Sequence, residues 1–270
     1  MKRRAILNLV ILFFSIGCCK GQDIYQVKWK KEIPYIMTGT ITFGTGLYLE
    51  SQTSIYTLQE INSLDKNAIV SFDRRAAGHN SNTAHKASNY LFYGSAGLPL
   101  FFLADKKGRD NIHHIAVLYG ETIFITAGLT LLTKYSTRRT RPFVYNSDAD
   151  NNKKFKTTAK GSFFSGHASI TAANTFFTAK IFSDLYPDSK WKPAVWGLAA
   201  AIPAATGYLR VKAGKHFPTD VIAGYAVGAS VGLLVPHFHL ARKGGKTKKG
   251  SKKDLSFYGG PDGLYLSCRF

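Results

Sequence analysis

The sequence predicts an all-α protein, a bundle of six helices in or against a membrane, followed by a short C-terminal β-hairpin. Three observations predict it. Six segments, residues 33–49, 87–104, 112–133, 161–179, 193–209 and 221–240, are nearly free of charge and rich in apolar residues. Each comes close to the roughly 20 residues that a membrane-crossing helix needs. Gly, Ala, Ser and Thr interrupt them, as in Thr38-Gly39-Thr40-Ile41-Thr42, and small residues let helices approach closely in lipid and in water alike.

The first segment follows a targeting-like start. Met1-Lys2-Arg3-Arg4 is basic, Ala5 to Gly17 is apolar, and small or polar residues come next, which is the layout of a secretory signal. Residues 1–21 therefore read as a signal peptide cut after Gly21 or as a retained N-terminal anchor, with a lipoprotein-type cut before Cys18 as a further option. Cys18 and Cys19 lie in that stretch and only Cys268 lies beyond it, so neither an intrachain disulfide nor a cysteine metal site is expected. Residues 22–241 form the expected helical domain. Residues 242–270 form a basic linker and the hairpin, with Pro261-Asp262-Gly263 as turn and Leu264-Tyr265-Leu266-Ser267 alternating behind it.

Two polar connections interrupt the helices. Residues 51–86 contain Ser71-Phe72-Asp73-Arg74-Arg75 together with His79 and His85, and are placed to lid a pocket. Residues 135–160 are basic, and 146–154 read as a flexible loop.

Charge narrows the partners. The 270 residues carry 36 Lys and Arg against 16 Asp and Glu, a formal net charge of +20, which favours nucleic acid, anionic lipid headgroups or phosphate substrates. No nucleic-acid recognition motif accompanies the charge, so nucleic acid is not expected. The run 242–253 suits a solvated tail that meets an anionic membrane surface. No obligate protein partner is evident. His113-His114 and His237-x-His239 are spaced like metal pairs but have no carboxylate or thiol beside them in the sequence, so no metal and no cofactor are expected.

Chemistry gathers in three clusters at helix ends. Lys134-(six residues)-Arg141-Pro142 closes the third segment, Ser165-Gly166-His167 opens the fourth, and Arg210-(five residues)-His216-(three residues)-Asp220 runs from the fifth to the sixth. Six antiparallel helices bring all three to one face. Lys134, Arg141 and Arg210 can neutralise phosphate oxygens, and backbone N–H groups at Ser165-Gly166-His167 sit where a helix start favours an anion. His216 and Asp220 are one turn apart, so the carboxylate can hold one ring nitrogen as N–H and free the other to attack phosphorus. His167 remains to protonate the leaving oxygen and to activate water. Arg138 and Arg139 read as solvent or headgroup contacts, and Lys212 and Lys215 as contributors to local potential.

These clusters resemble the three-part signature of the type 2 phosphatidic acid phosphatase (PAP2) superfamily, which also includes bacterial acid phosphatases and vanadium haloperoxidases. Its usual form is Lys-x6-Arg-Pro, Pro-Ser-Gly-His and Ser-Arg-x5-His-x3-Asp. Here Phe164 replaces the proline and Leu209 the serine. The resemblance implies phosphate binding by Lys134, Arg141, Ser165, Gly166 and Arg210, with His167 as general acid/base, His216 as nucleophile and Asp220 as its orienting partner. It implies a metal-independent phosphatase working through a phosphohistidine on a lipid phosphate or diphosphate. A periplasmic acid phosphatase for soluble phosphomonoesters and a silent anionic-lipid-binding envelope protein are the alternatives. The face opposite the clusters carries Lys28, Lys30, Lys31, Lys106, Lys107, Arg109, Lys190, Lys192 and the run 242–253. The positive-inside rule puts that face in the cytoplasm and the active site in the periplasm of a bacterial envelope. A cleaved signal and six full spans are incompatible with that placement, which leaves the crossing number open.

Overall fold

The computed structural model describes residues 24–241, 255–260 and 263–268. The expected signal or anchor and the basic run 242–253 lie outside the described residues. Two compact units divide at Leu240 and Ala241.

The first unit is helical, with no sheet among its described residues. The described residues hold ten α-helices where six were expected. Six are long: α1 (Trp29–Ser51), α4 (Asn82–Ala96), α6 (Ile112–Thr137), α8 (Gly166–Leu185), α9 (Lys192–Lys212) and α10 (Pro218–His239). They coincide with the apolar segments. Four short ones, α2 (Leu58–Asn62), α3 (Ser71–Arg74), α5 (Lys106–Asp110) and α7 (Asn151–Lys154), lie in the connections between the long helices, where local caps start three of them. Thr57 and Glu60 form a capping box at α2, Asp105 Oδ1 accepts from Gly108 N at 2.9 Å at α5, and Asp150 Oδ1 accepts from Asn152 N at 2.9 Å at α7. Helix α4 stops short of the apolar run that predicts it, because Gly97 and Pro99 follow Ala96 and the chain continues as the 3-10 helix Leu98–Ala104.

Helix α8 is the central element and packs against α10, α9, α6 and α4, while α1 packs on α6. Its buried positions are mostly small, among them Ala168, Ser169, Thr171, Ala172, Ala173 and Thr175. The facing stripe of α10 is glycine at every fourth residue. A Cβ on Gly224 would stand 2.6 Å from Ser165 O, one on Gly228 1.9 Å from Ser169 O, and one on Gly232 2.6 Å from Ala173 O. Backbone therefore meets backbone, the arrangement that small-residue stripes permit.

The long connections are ordered caps. Phe143, Val144, Ala149 and Ala159 are buried with Tyr56 in one cluster, and Ile69, Ala76 and Phe217 in another. The stretch 146–154, expected as a flexible loop, contains α7, a buried Ala149 and a buried Lys154. In the second unit, β1 (Leu255–Gly260) pairs antiparallel with β2 (Gly263–Cys268), Gly260 opposite Gly263.

On the outside of the bundle, large apolar side chains face outward. Ile33, Met37 and Ile41 of α1, Leu198 of α9, and Ile222, Leu234 and Phe238 of α10 are all exposed. The helical run Ile112–Tyr145 and α10 are long and apolar enough to cross a membrane.

Candidate active site

The end of α6, the starts of α8 and α10 and the end of α9 meet at one end of the bundle. Lys134 comes from the last turn of α6 and lies directly over the start of α8. A Cβ on Gly166 would stand 3.2 Å from Lys134 Nζ and 3.1 Å from Thr130 Cγ2, so the glycine makes room for the ammonium. Ser165 caps α8, its Oγ accepting from Ala168 N at 3.4 Å, and its own N–H donates to Asp220 O at 2.9 Å. Arg141 donates from Nε and Nη2 to Gly161 O, both at 3.3 Å, and a Cβ on Gly161 would be 3.8 Å from Lys134. Arg210 is almost fully buried. Its Nη1 donates to His85 Nδ1 at 2.9 Å and reaches Ser88 Oγ at 3.4 Å, while its Nε has no partner among the described residues. A guanidinium N–H directed into a cationic site is suited to donate to an anion's oxygen.

His216 lies in the loop between α9 and α10 and is 1% exposed. Its Nδ1 donates to Ser162 O at 2.7 Å, which leaves Nε2 with the lone pair. Burial first, then the charges of Arg141, Arg210 and Lys134, hold the ring's pKa well below its usual range. All three cations therefore act on one neutral imidazole.

The expected contact between Asp220 and His216 is not a hydrogen bond, because Asp220 Oδ2 stands 4.0 Å from Nδ1. The carboxylate acts one bond further out. It accepts from Ser162 Oγ at 2.6 Å and from Phe217 N at 2.8 Å, and it pairs with Arg139. The Ser162 carbonyl is what orients the ring, since it lies nearer than the carboxylate that α10 holds at its own first turn. His167 stacks on Phe92, with ring centroids 4.4 Å apart, and its Nε2 is 2.9 Å from Asn89 Oδ1.

Residues 115–243 match the family model of the PAP2 superfamily. That match spans just under half of the chain and takes in all three helix-end clusters. No curated protein matches it. Among solved structures, it is similar to the first transmembrane PAP2 type phosphatidylglycerolphosphate phosphatase from Bacillus subtilis. The identity is 21%, the TM-score 0.45, and the match covers 74% of this chain and 95% of that one.

Several residues of this candidate site escape the three-part signature. Arg139, expected at solvent, bridges two carboxylates instead: Nη2 lies 2.7 Å from Asp73 Oδ2, Nη1 pairs with Asp220, and Nη1 also donates to Thr219 Oγ1 at 2.8 Å. Its guanidinium carbon stands 4.5 Å from the Phe217 ring centroid. Asp73 is fully buried and also accepts from Thr219 N at 3.0 Å. The connection 51–81 is thereby tied to the loop that bears His216. Gly214 shows how tightly: its φ is +66°, and a Cβ there would meet His79 O at 1.6 Å. His79 Nδ1 bonds Val211 O at 3.2 Å, so it braces the loop. His85 touches Arg210 itself, and burial, then Arg210, lower its pKa. Only pairing across the chain identifies Arg139 and Asp73, since each is an ordinary charge in a polar stretch.

The two departures from the family pattern have visible surroundings. Phe164 is buried beneath Gly224, with Cδ2 3.4 Å from where a Cβ would be. Leu209 provides no hydroxyl beside Arg210, and the hydroxyl that reaches this guanidinium is Ser88 on α4.

Proposed function

We propose that the chain is a phosphatase that hydrolyses a lipid phosphate or diphosphate through a phosphohistidine. The observation that carries the reading is a buried, neutral His216 whose ring is fixed by Ser162 O and on which three cations act. Lys134, Arg141 and Arg210, with the backbone N–H groups at the start of α8, hold the phosphate oxygens and stabilise the charge that grows in the transition state. His216 Nε2 displaces the leaving oxygen in line, and the phosphorus–nitrogen bond forms as the phosphorus–oxygen bond breaks. His167, protonated once the anionic substrate offsets the surrounding cations, gives that proton to the leaving oxygen and becomes neutral. It then takes a proton from water, whose oxygen attacks the phosphohistidine and releases His216 and inorganic phosphate. The reaction draws its positive charge from Lys and Arg side chains.

Asp220 is a positioning residue in this scheme. It fixes the Ser162 side chain and the N–H of Phe217, and the Ser162 carbonyl in turn fixes the nucleophile. Asn89 holds the Nε2 of His167, so substrate entry exchanges that bond for one to the leaving oxygen.

A lipid substrate is favoured by the outward-facing apolar side chains of α1, α9 and α10, which suit a bilayer around the bundle. The lysines and arginines at the far end support a cytoplasmic far face and a periplasmic active site. The deciding experiment measures phosphate release from phosphatidate in detergent beside p-nitrophenyl phosphate in buffer. Turnover of phosphatidate that vanadate inhibits and that His216→Ala abolishes supports the proposal. Hydrolysis of p-nitrophenyl phosphate alone assigns soluble substrates, and equal activity in His216→Ala rejects the nucleophile.

A further inference from the structure

A second polar cluster lies at the other end of the bundle, outside the phosphate chemistry. Glu32 sits in the first turn of α1, Glu121 in α6, and His239 in the last turn of α10. One ligand atom from each lies within 4.8 Å of the others. Glu121 precedes Lys134 by thirteen positions on α6, about 20 Å along the axis at the helical rise, so the cluster is separate from the candidate active site.

The three side chains are 4%, 7% and 2% exposed. His239 Nδ1 is 2.7 Å from Val235 O, a carbonyl that can only accept, so the proton resides on Nδ1 and Nε2 has the lone pair. That nitrogen faces Glu32 Oε2 at 2.7 Å and Glu121 Oε2 at 3.6 Å. Three acceptors thus converge in a largely buried site. Neither oxygen of Glu121 has a hydrogen-bond partner among the described residues, and a buried carboxylate without one is strongly disfavoured. A cation at the centre removes the conflict.

Ligand type narrows the ion. Two carboxylates and one neutral imidazole cancel a double positive charge, and a mixed nitrogen and oxygen set suits zinc or manganese more than the all-oxygen preference of calcium and magnesium. Ligand arms of about 2.0–2.2 Å in a tetrahedral site leave ligand atoms about 3.3 Å apart. The 3.6 Å pair already fits that spacing, and the 2.7 Å pair opens slightly. The supporting contacts are those of metal ligands: Val235 O holds the histidine tautomer and Lys28 N donates to Glu32 Oε1 at 2.8 Å. A pocket of about 440 Å³, walled by Tyr35, Ile36, Val117 and Phe124, reaches Glu32 and Glu121. It supplies an entry path and an open coordination position.

We propose that Glu32, Glu121 and His239 bind one divalent transition-metal ion, with zinc the first choice, which clasps the start of α1 to α6 and to the end of α10. The chain around the site is already drawn together there, with Gln26 N donating to His239 O at 2.8 Å and Tyr25 bridging Leu240. His237-x-His239 has no carboxylate beside it in sequence. Its partners arrive from two distant helices.

Untagged full-length protein in detergent, stripped with chelator and desalted, is titrated with zinc chloride by calorimetry and thermal melting. One equivalent binds with micromolar or tighter affinity, and a hundredfold excess over Kd raises Tm by several degrees. Glu121→Gln keeps the side-chain shape and removes an unpaired buried charge, so it folds, and it weakens zinc binding at least tenfold. His239→Gln does the same, and His216→Ala binds as the parent does, so failure of the phosphatase reading leaves this result untouched. Absence of saturable binding below about 100 µM zinc (far weaker than the affinities of structural zinc sites) overturns the proposal. So does unchanged binding in Glu121→Gln. Either result leaves a proton shared between His239 and Glu32 as the whole of the interaction.

Discussion

At the scale of single residues, the ring of His216 and the clamp of Arg139 make opposite demands. For the proposed attack His216 must stay neutral, and its surroundings hold its pKa well below the usual range. The acid limb of kcat/KM, corrected for the substrate's own second ionisation, is therefore expected well below pH 6.5. A limb at 6.5 would mean that the nucleophile is solvated like a free imidazole. The same shift acts on stability. The unfolded chain takes up a proton on this histidine as pH falls through about 6.5 while the folded chain does not, so this contribution is lost towards acid pH. Lys215, whose ammonium stands 4.6 Å from the Phe143 ring centroid, is pushed down to about 8 by burial and then by Arg141 and Arg210. Its charge fades above that pH, so kcat/KM is expected to decline there. Lys215→Met removes that component of the decline. Arg139 must stay charged, because it is shared by two buried carboxylates. Arg139→Ala leaves Asp73 and Asp220 uncompensated and is expected to destabilise by about 3 kcal/mol, read by denaturant or thermal unfolding. It also lowers kcat, because Asp220 then loses its hold on Ser162 and on the carbonyl that aims His216.

At the scale of helices, the contact of α8 with α10 sets the site, since α8 carries Ser165, Gly166 and His167 and α10 carries Asp220. Gly228→Ala would place a methyl group 1.9 Å from Ser169 O. Backbone cannot yield as a side-chain tip does, so the helices must separate, at about 1–3 kcal/mol for overpacking, and phosphatase activity falls with stability. Gly120→Ala on α6 meets nothing within 4 Å and is expected to be neutral or slightly stabilising by up to ~1 kcal/mol. Equal Tm changes in the two variants would show that α8 and α10 do not touch through glycine. The long helices were legible in the sequence because apolar runs and small residues are local signals. The four short helices were not, because three of them depend on one local cap, such as Asp105 or Asp150, and the fourth, α3, has no side-chain cap at all. The residues of the candidate site follow the same division. Lys134, Arg141, Ser165, Gly166, Arg210 and His216 announce themselves by spacing at helix ends. Arg139, Asp73, Asn89 and Ser162 acquire their contacts only through folding, as does the withdrawal of Asp220 from the His216 ring.

At the scale of the whole molecule, two forces draw the chain to a membrane, and they respond oppositely to salt. The net charge of +20 attracts anionic headgroups through an interaction that a Debye length of about 3 Å at 1 M salt extinguishes. The exposed apolar side chains, Ile33, Met37 and Ile41 on α1 and Ile222, Leu234 and Phe238 on α10 among them, act through burial, which salt does not weaken. A protein held only by charge leaves vesicles as salt rises. One whose helices lie among acyl chains stays. Reconstituted with phosphatidylcholine vesicles, the protein is expected to float with the lipid in 1 M sodium chloride and at alkaline pH, and anionic lipid should add little. The apolar side chains then sit where the substrate's acyl chains sit, and the phosphate headgroup is brought to the end of the bundle that bears Lys134, Arg141 and Arg210. Flotation that fails in neutral vesicles at high salt would assign the outward-facing apolar surface to something other than lipid, and with it remove the main ground for preferring a lipid phosphate over a soluble one.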